Sequence, residues 1–205
     1  MIYIVLVINL LFGADSKSLL DDLYNNNNWL EYSKTDDGKV IYEYQYNHKK
    51  YIKVVKEVEY SSFEIINEIK SINRYNEIIS NKNVNTKLIL QDSDTLYAFQ
   101  RISNSIPFVR DRQYIFKMYH VDNKRIDWYL LDKNNPLFEE YIDDDVHTLT
   151  YGAGSWYIDS NNLINRIYVD DEVNFPASFL HKIRVNNVTS IFDDVLNSIH
   201  KRRNK

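Results

Sequence analysis

The 205-residue sequence has no cysteine and only 4 glycines, and each scarcity excludes a class of site. Without cysteine the chain can form no disulfide, no zinc–thiolate centre and no cysteine nucleophile. A glycine-rich phosphate-binding loop cannot be assembled from the glycines present, which are Gly13, Gly38, Gly152 and Gly154. The net charge is -4, so a general affinity for nucleic acid is not expected.

Recognisable catalytic and metal-binding motifs are missing as well. None of the 5 histidines has the i, i+4 spacing of a helical metal site, and no serine lies between glycines as in a nucleophile elbow. The acidic run Asp143–Asp145 before His147 comes nearest to a site for a hard cation, but a solvated acidic loop explains it better. We therefore expect no metal, no cofactor and no catalytic residue.

Residues 1–14 contain the strongest apolar run, Ile2–Phe12. A membrane-spanning helix needs about 20 residues, whereas this run has the length of the hydrophobic part of a secretory signal, followed by the small residues Gly13 and Ala14. We expect a signal peptide over 1–14 and a periplasmic or secreted mature protein. The alternative is a buried first strand or helix in a cytoplasmic protein, since no lysine or arginine precedes the run.

Period-two patterns predict a largely antiparallel sheet. Asp37-Gly38 lies between two β-prone runs, which is a strong hairpin signal. Over 83–173 about six further strands, one of them over 146–158, are separated by short polar turns, and short connections imply antiparallel neighbours. The exception is Lys133–Asp145, the one long irregular connection.

Helical periodicity occurs in three places. A short helix is predicted over Ser16–Tyr24 and an amphipathic helix over Ser61–Ile79. The second begins with a capping box between Ser61 and Glu64 and is expected to break and restart near Tyr75. A long last helix begins at Pro176, where the missing N–H costs nothing. This order predicts one α+β domain over 15–205. In it a curved antiparallel sheet wraps around the C-terminal helix, with an internal cavity between them.

Five stretches of the sequence, taken in order and spacing, resemble the START domains, a family of lipid-transfer-related helix-grip proteins, over nearly all of 16–200. The stretches are "WLEYSKTDDGKVIYEY", "YNEIISN", "FVRDRQYIF", "YGAGSWYID" and "YVDDEVNFPASFLHK". The resemblance implies a monomeric carrier whose partner is a lipid or another hydrophobic small molecule, with transient membrane contact. The positions at which sterol-binding members place an acid and a base resemble Gln100 and Phe116 here, so a sterol is disfavoured.

Strand alternation, together with the cavity that the resemblance implies, gives a set of candidate wall residues. They are Tyr97, Phe99, Tyr114, Phe116, Met118, Trp128, Leu130, Trp156, Ile167, Val169, Phe179 and Ile183. Solid core packing is the alternative for each of them.

The charged triplet Arg110, Asp111 and Arg112 stands at the entry to a strand of this set. One interpretation is a structural ion pair that fixes this corner of the sheet. The other is a headgroup site, in which Arg110 or Arg112 holds a lipid phosphate through the planar guanidinium fork.

The long connection also holds Leu137, Phe138 and Tyr141 among acidic residues. Long loops in compact domains are often lids, so these three residues are predicted to close the cavity entrance or touch a membrane, opposite Phe179. The alternative is that they fill the end of the core.

Three functions compete. A binder or carrier of a hydrophobic ligand predicts a long apolar cavity. A cavity enzyme of the polyketide cyclase or hydrolase type predicts a histidine or carboxylate deep in that cavity. An interaction module predicts an interior filled by Phe116, Trp128 and Trp156. The first is preferred because no catalytic motif was found.

Overall fold

The computed structural model describes residues 15–103, 110–170 and 177–204 of the chain. The strands in these ranges are β1 Leu30–Lys34, β2 Val40–Tyr46, β3 Lys49–Glu57, β4 Val84–Asp92, β5 Thr95–Ile102, β6 Arg112–Asp122, β7 Arg125–Leu130, β8 His147–Thr148, β9 Gly152–Asp159 and β10 Asn162–Val169. The α-helices are α1 Leu19–Asn25, α2 Ser62–Lys70, α3 Tyr75–Ile78, α4 Leu137–Tyr141 and α5 Ala177–Arg203, with 3-10 turns at Ser16–Ser18 and Ile72–Arg74. The predicted signal peptide over 1–14 and the helix start at Pro176 lie outside the described residues. No described helix is long and apolar enough to cross a membrane.

All ten of these strands belong to one curved sheet. Its strands follow the order β1-β2-β3-β10-β9-β7-β6-β5-β4, and every neighbouring pair along this path is antiparallel. The short strand β8 lies off the path and pairs in parallel with the start of β6. A curved antiparallel sheet that holds a long C-terminal helix confirms the helix-grip fold predicted from the sequence.

Two predicted segments each consist of two elements in the structure. The strand predicted over 146–158 becomes β8 and β9, because the backbone between them leaves the sheet after the Leu149 amide donates to the Gln113 carbonyl at 2.9 Å. The helix predicted over 61–79 is present as α2 and α3, and the 3-10 turn between them agrees with the break expected near Tyr75. The capping box at Ser61 and Glu64 is present at the start of α2.

Side chains alternate along each strand, so the sheet has two distinct apolar faces. The inner face carries the main core, in which residues such as Val54, Phe116 and Trp156 pack against α2 and α5. The outer face carries two smaller clusters, one beneath α1 and one beneath α4. Both faces of the sheet are therefore partly covered by helices.

The long helix α5 is attached to the rest of the domain by charged contacts as well as by its apolar stripe. The buried Lys39 ammonium lies 2.6 Å from the Asp193 carboxylate, and Asp194 accepts a hydrogen bond from the Ser80 amide at 2.8 Å. Nearer the amino end of α5, the His181 ring contacts the Glu43 carboxylate on β2. These contacts keep α5 in one position across the inner face.

The first helix, α1, is held on the outer face by a buried polar cluster. The Tyr24 hydroxyl donates to Asp127 at 2.8 Å, and the Arg125 guanidinium lies 2.6 Å from the same carboxylate and 3.3 Å from the centre of the Tyr24 ring. The side chain of Asp127 is only 2% exposed. Burial and the neighbouring Asp127 raise the pKa of Tyr24 well above its usual range, so this hydroxyl stays protonated and continues to donate.

Candidate functional site

A cavity of about 190 Å³ lies between the inner face of the sheet and α5. Its wall is formed by side chains from six strands, from α3 and from α5. The lining residues are Lys50, Ile52, Tyr75, Ile79, Gln100, Ile102, Arg112, Tyr114, Phe116, Met118, Trp128, Leu130, Leu149, Trp156, Asn165, Ile167, Tyr168, Val169, Arg184, Asn187, Val188 and Ile191. Most of this wall is apolar.

One end of the cavity is closed by aromatic rings. Trp156 of β9 stacks on Phe192 of α5 with ring centroids 5.5 Å apart, and both residues are buried. Trp128 forms part of the adjoining wall and packs closely against Gly154. A Cβ atom at Gly154 would lie 2.6 Å from the Trp128 indole, closer than real contacts allow. The glycine therefore keeps the indole out of the cavity.

The other end of the cavity is cationic, as the strand register shows. Ile52 pairs with Ile167, so Lys50 lies two residues nearer the end of the sheet at which β10 finishes. Arg112, the first residue of β6, lies in the same direction away from the closed end. On α5, Arg184 precedes Phe192 by eight residues, or roughly 12 Å along the helix. The cavity thus has an apolar end and an end with three cationic side chains.

Three side-chain amides also interrupt the apolar wall. The Gln100 amide donates to the Thr86 hydroxyl at 2.7 Å and accepts from the Tyr114 hydroxyl, so both of its ends bond within the protein. Asn165, which is buried, makes a longer bond of 3.4 Å to the Ser155 carbonyl. Asn187 lines the cavity yet is itself exposed, so the cavity meets the surface beside this turn of α5.

The structure brings eight of the twelve predicted wall residues together around this cavity. They are Tyr114, Phe116, Met118, Trp128, Leu130, Trp156, Ile167 and Val169. Contact of these residues with a ligand stays a prediction.

The other four predicted wall residues lie elsewhere. Tyr97 and Phe99 pair with Lys117 and Ile115, which point to the outer face, so the placement of both aromatic rings in the cavity was wrong. The register puts the alternate β5 residues, including Gln100, on the inner face.

Phe179 and Ile183 of α5 are absent from the cavity wall too. The helical positions that face the cavity are Arg184, Asn187, Val188 and Ile191, with the i, i+3, i+4, i+7 spacing of a single stripe. Ile183 is offset from this stripe by about 100°, and Phe179 is 44% exposed.

The predicted lid does not lie over the cavity. Leu137, Phe138 and Tyr141 form α4, which packs on the outer face with Ile115 and Leu131. Phe138 is buried in that cluster. Because the sheet separates α4 from the cavity, the lid assignment is wrong, and the three side chains serve as packing for the back of the sheet.

Replacing Phe138 with alanine is therefore expected to affect stability and not ligand uptake. The free energy of unfolding should fall by about 2–3 kcal/mol, less than for a central core phenylalanine because the cluster is small. Phe116→Ala is the matched variant, since Phe116 lies in the cavity wall and its loss should change uptake of a fluorescent fatty acid. If the Phe138→Ala protein showed altered ligand uptake at unchanged stability, α4 would have to lie at the cavity entrance.

The charged triplet is divided between two roles in the structure. The Asp111 carboxylate lies 3.5 Å from the Arg101 guanidinium of β5, which also lies 3.5 Å from Asp143. An ion pair is thus present at this corner of the sheet, with Arg101 as its cation. Arg110 is exposed at the strand entry, whereas Arg112 lines the cavity.

Of the three residues at the cationic end, only Arg112 was predicted from the sequence. Lys50 alternates with Ile52 and Val54 along β3, and this spacing was the available signal that it shares their face. Arg184 and Asn187 lie within the apolar stripe of α5 at helical spacing, which marks them as inward-facing polar residues. Among the described residues, no group of three or more histidines or carboxylates is arranged to hold a metal ion.

The architecture is that of a helix-grip domain with an internal, mainly apolar cavity. More specifically, the fold is START-like. The human StAR-related lipid transfer protein 5 superimposes with a TM-score of 0.70 at 10% identity, covering 92% of this chain and 96% of that one. The STAR-related lipid transfer protein of Xanthomonas axonopodis gives a TM-score of 0.68 at 8% identity, covering 85% of this chain and 99% of that fragment.

The same fold also occurs in an enzyme. The Zhui aromatase/cyclase from Streptomyces sp. R1128 superimposes with a TM-score of 0.54 at 10% identity, covering 76% of this chain and 96% of that one. No protein-family model and no curated protein matches the sequence. At these identities, what the chain shares with its structural neighbours is the fold.

Proposed function

We propose that the chain binds a hydrophobic small molecule, a lipid or lipid-like compound, in the cavity and carries it as a monomer. The proposal rests on one observation: a mainly apolar space of about 190 Å³ remains inside the domain although Phe116, Trp128 and Trp156 all line it. An interaction module with a filled interior would have no such space. Genuinely empty apolar cavities attract apolar ligands, because water gains little by entering them.

A cavity enzyme of the cyclase type is the second candidate, and the likeness to the Zhui aromatase/cyclase favours it. Acid–base chemistry in the cavity would need a titratable group with a suitable pKa in contact with the substrate. The described residues of the wall include no histidine, aspartate or glutamate. The binding function is therefore the better supported of the two.

Carriage of a lipid also requires brief contact with a membrane. The exposed ring of Phe179 lies in the first turns of α5, in the same part of the helix as Arg184 and Asn187. An apolar side chain near a cationic one suits the boundary between lipid headgroups and acyl chains. We assign the membrane contact to this part of α5.

Gly154→Ala tests the binding function directly. The new methyl group is expected to displace the Trp128 indole into the cavity, and affinity for a fluorescent fatty acid should fall by roughly tenfold or more. The matched control is Gly38→Ala. Gly38 has φ +86°, and a Cβ atom there would have no neighbour within 4 Å, so its substitution strains the backbone far from the cavity.

Fluorescence titration of both variants and of the unmodified protein separates the two effects. The control is expected to lose some stability and keep its affinity. Equal affinity in all three proteins would place the bound probe outside the cavity and contradict the proposal.

A further inference from the structure

We propose that the ligand is a single-chain amphiphile with an anionic group, a carboxylate or a phosphate, and that Lys50 and Arg184 bind this group at the cationic end of the cavity. The inference rests on the proposed binding function and names the class of ligand. Arg112 lies at the same end and adds to the positive charge. The apolar tail would extend toward Trp156 and Phe192.

The distribution of charge is the first argument. The chain as a whole is acidic, with a net charge of -4, yet the described residues of the cavity wall include three cationic side chains and no carboxylate. The charged side chains of the described wall are thus positive, whereas the chain as a whole is negatively charged. A cation beside an apolar, weakly polarisable wall attracts an anion more strongly than it would in water.

Lys50 supplies the second argument. Its neighbours on the outer face, Lys49 and Lys53, lie over aromatic rings, with the Lys53 ammonium 4.8 Å from the Trp29 ring centre. Lys50, a half-buried residue, has no ion-pair partner among the described residues. An anionic ligand group would provide that partner, and a half-buried charge gains more from pairing than an exposed one.

The size of the cavity is the third argument. Its volume of about 190 Å³ is below the range of roughly 300–1,000 Å³ that is common for small-molecule sites. One alkyl chain fits such a space better than the two chains of a phospholipid. Arg184 supplies a planar fork that bonds a carboxylate or a phosphate through two parallel hydrogen bonds.

The test compares palmitic acid, its uncharged methyl ester and lysophosphatidic acid by native mass spectrometry and competition with a fluorescent probe. The unmodified protein should bind the acid or the lysophosphatidic acid roughly tenfold more tightly than the ester. The tighter of the two anions identifies the group as carboxylate or phosphate. Lys50→Met and Arg184→Met should each remove most of this preference, so that the anions and the ester bind with similar affinity.

Lys53→Met is the matched control, because Lys53 lies on the same strand but faces outward. Burial and the nearby Arg166 lower the pKa of Lys53 to about 8, so this control also removes a side chain that is largely charged at pH 7. It should leave every affinity unaltered. Equal binding of acid and ester by the unmodified protein, or a preference that survives both cavity variants, would overturn the inference. If none of the three amphiphiles binds, the proposed function itself fails.

Discussion

Replacing Phe192 with alanine is expected to lower the free energy of unfolding by about 3–5 kcal/mol. Phe192 is fully buried on α5 and stacks on Trp156, so the change removes the contact that joins the long helix to the centre of the sheet. For a chain of this length the melting temperature should fall by roughly 6–20 °C. Urea unfolding followed by tryptophan fluorescence measures the effect.

Phe63→Ala is the control for this variant. Phe63 is 76% exposed on α2, and a surface substitution of this kind usually changes stability by less than about 0.5 kcal/mol. A Phe192→Ala protein as stable as the Phe63→Ala protein would mean that α5 does not cover the inner face as described.

Asp127→Ala is expected to lower the free energy of unfolding by about 3–4 kcal/mol. This is toward the lower end of the range for breaking a buried ion pair, because Arg125 is partly exposed. The change leaves the Arg125 guanidinium without its carboxylate and removes the acceptor of the Tyr24 hydroxyl. Helix α1 should then loosen on the outer face. Faster hydrogen exchange over Leu19–Asn25, together with a lower melting temperature, is the expected result.

The exposed Asp92 at the end of β4 is the matched control, and Asp92→Ala should be nearly neutral. Ligand uptake should change little in either variant, because the cluster around Asp127 lies on the face opposite the cavity. Normal hydrogen exchange of α1 in the Asp127→Ala protein would argue against this cluster as the attachment of the helix.

Much of the architecture could be predicted from residue patterns because local signals agree with the final fold. The capping box of α2, the Asp37-Gly38 turn and the alternation of Tyr114, Phe116 and Met118 each depend on neighbours in sequence. Such features need no distant contact to be specified, so they can be recognised in the sequence alone.

Alternation along a strand groups residues by face but does not say which face is inner. On β5, Tyr97 and Phe99 are as apolar as Leu96 and Ala98 because α4 covers the outer face of this strand. The two faces therefore look alike in the sequence. The outer face of β5 is identified only by the pairing of Phe99 with Ile115. That pairing joins two different strands, so it cannot be derived from the pattern within β5.

The lid prediction failed for the same physical reason. An apolar cluster in a long connection indicates that the connection packs against the rest of the domain. It does not indicate which face of the sheet the cluster covers. Gln113, buried on the outer side of β6, donates to the carbonyls of Asp143 and Val146 and so draws the end of this connection behind the sheet. No pattern within residues 133–145 indicates that Gln113 is the partner of this segment.

The most direct test of a ligand in the cavity is native mass spectrometry of the purified protein, before and after incubation with palmitic acid. Binding in the cavity predicts one bound molecule per chain, and a complex that is greatly reduced in the Gly154→Ala variant. A spectrum of the bare chain alone, at ligand concentrations that saturate an established fatty-acid carrier, would contradict it.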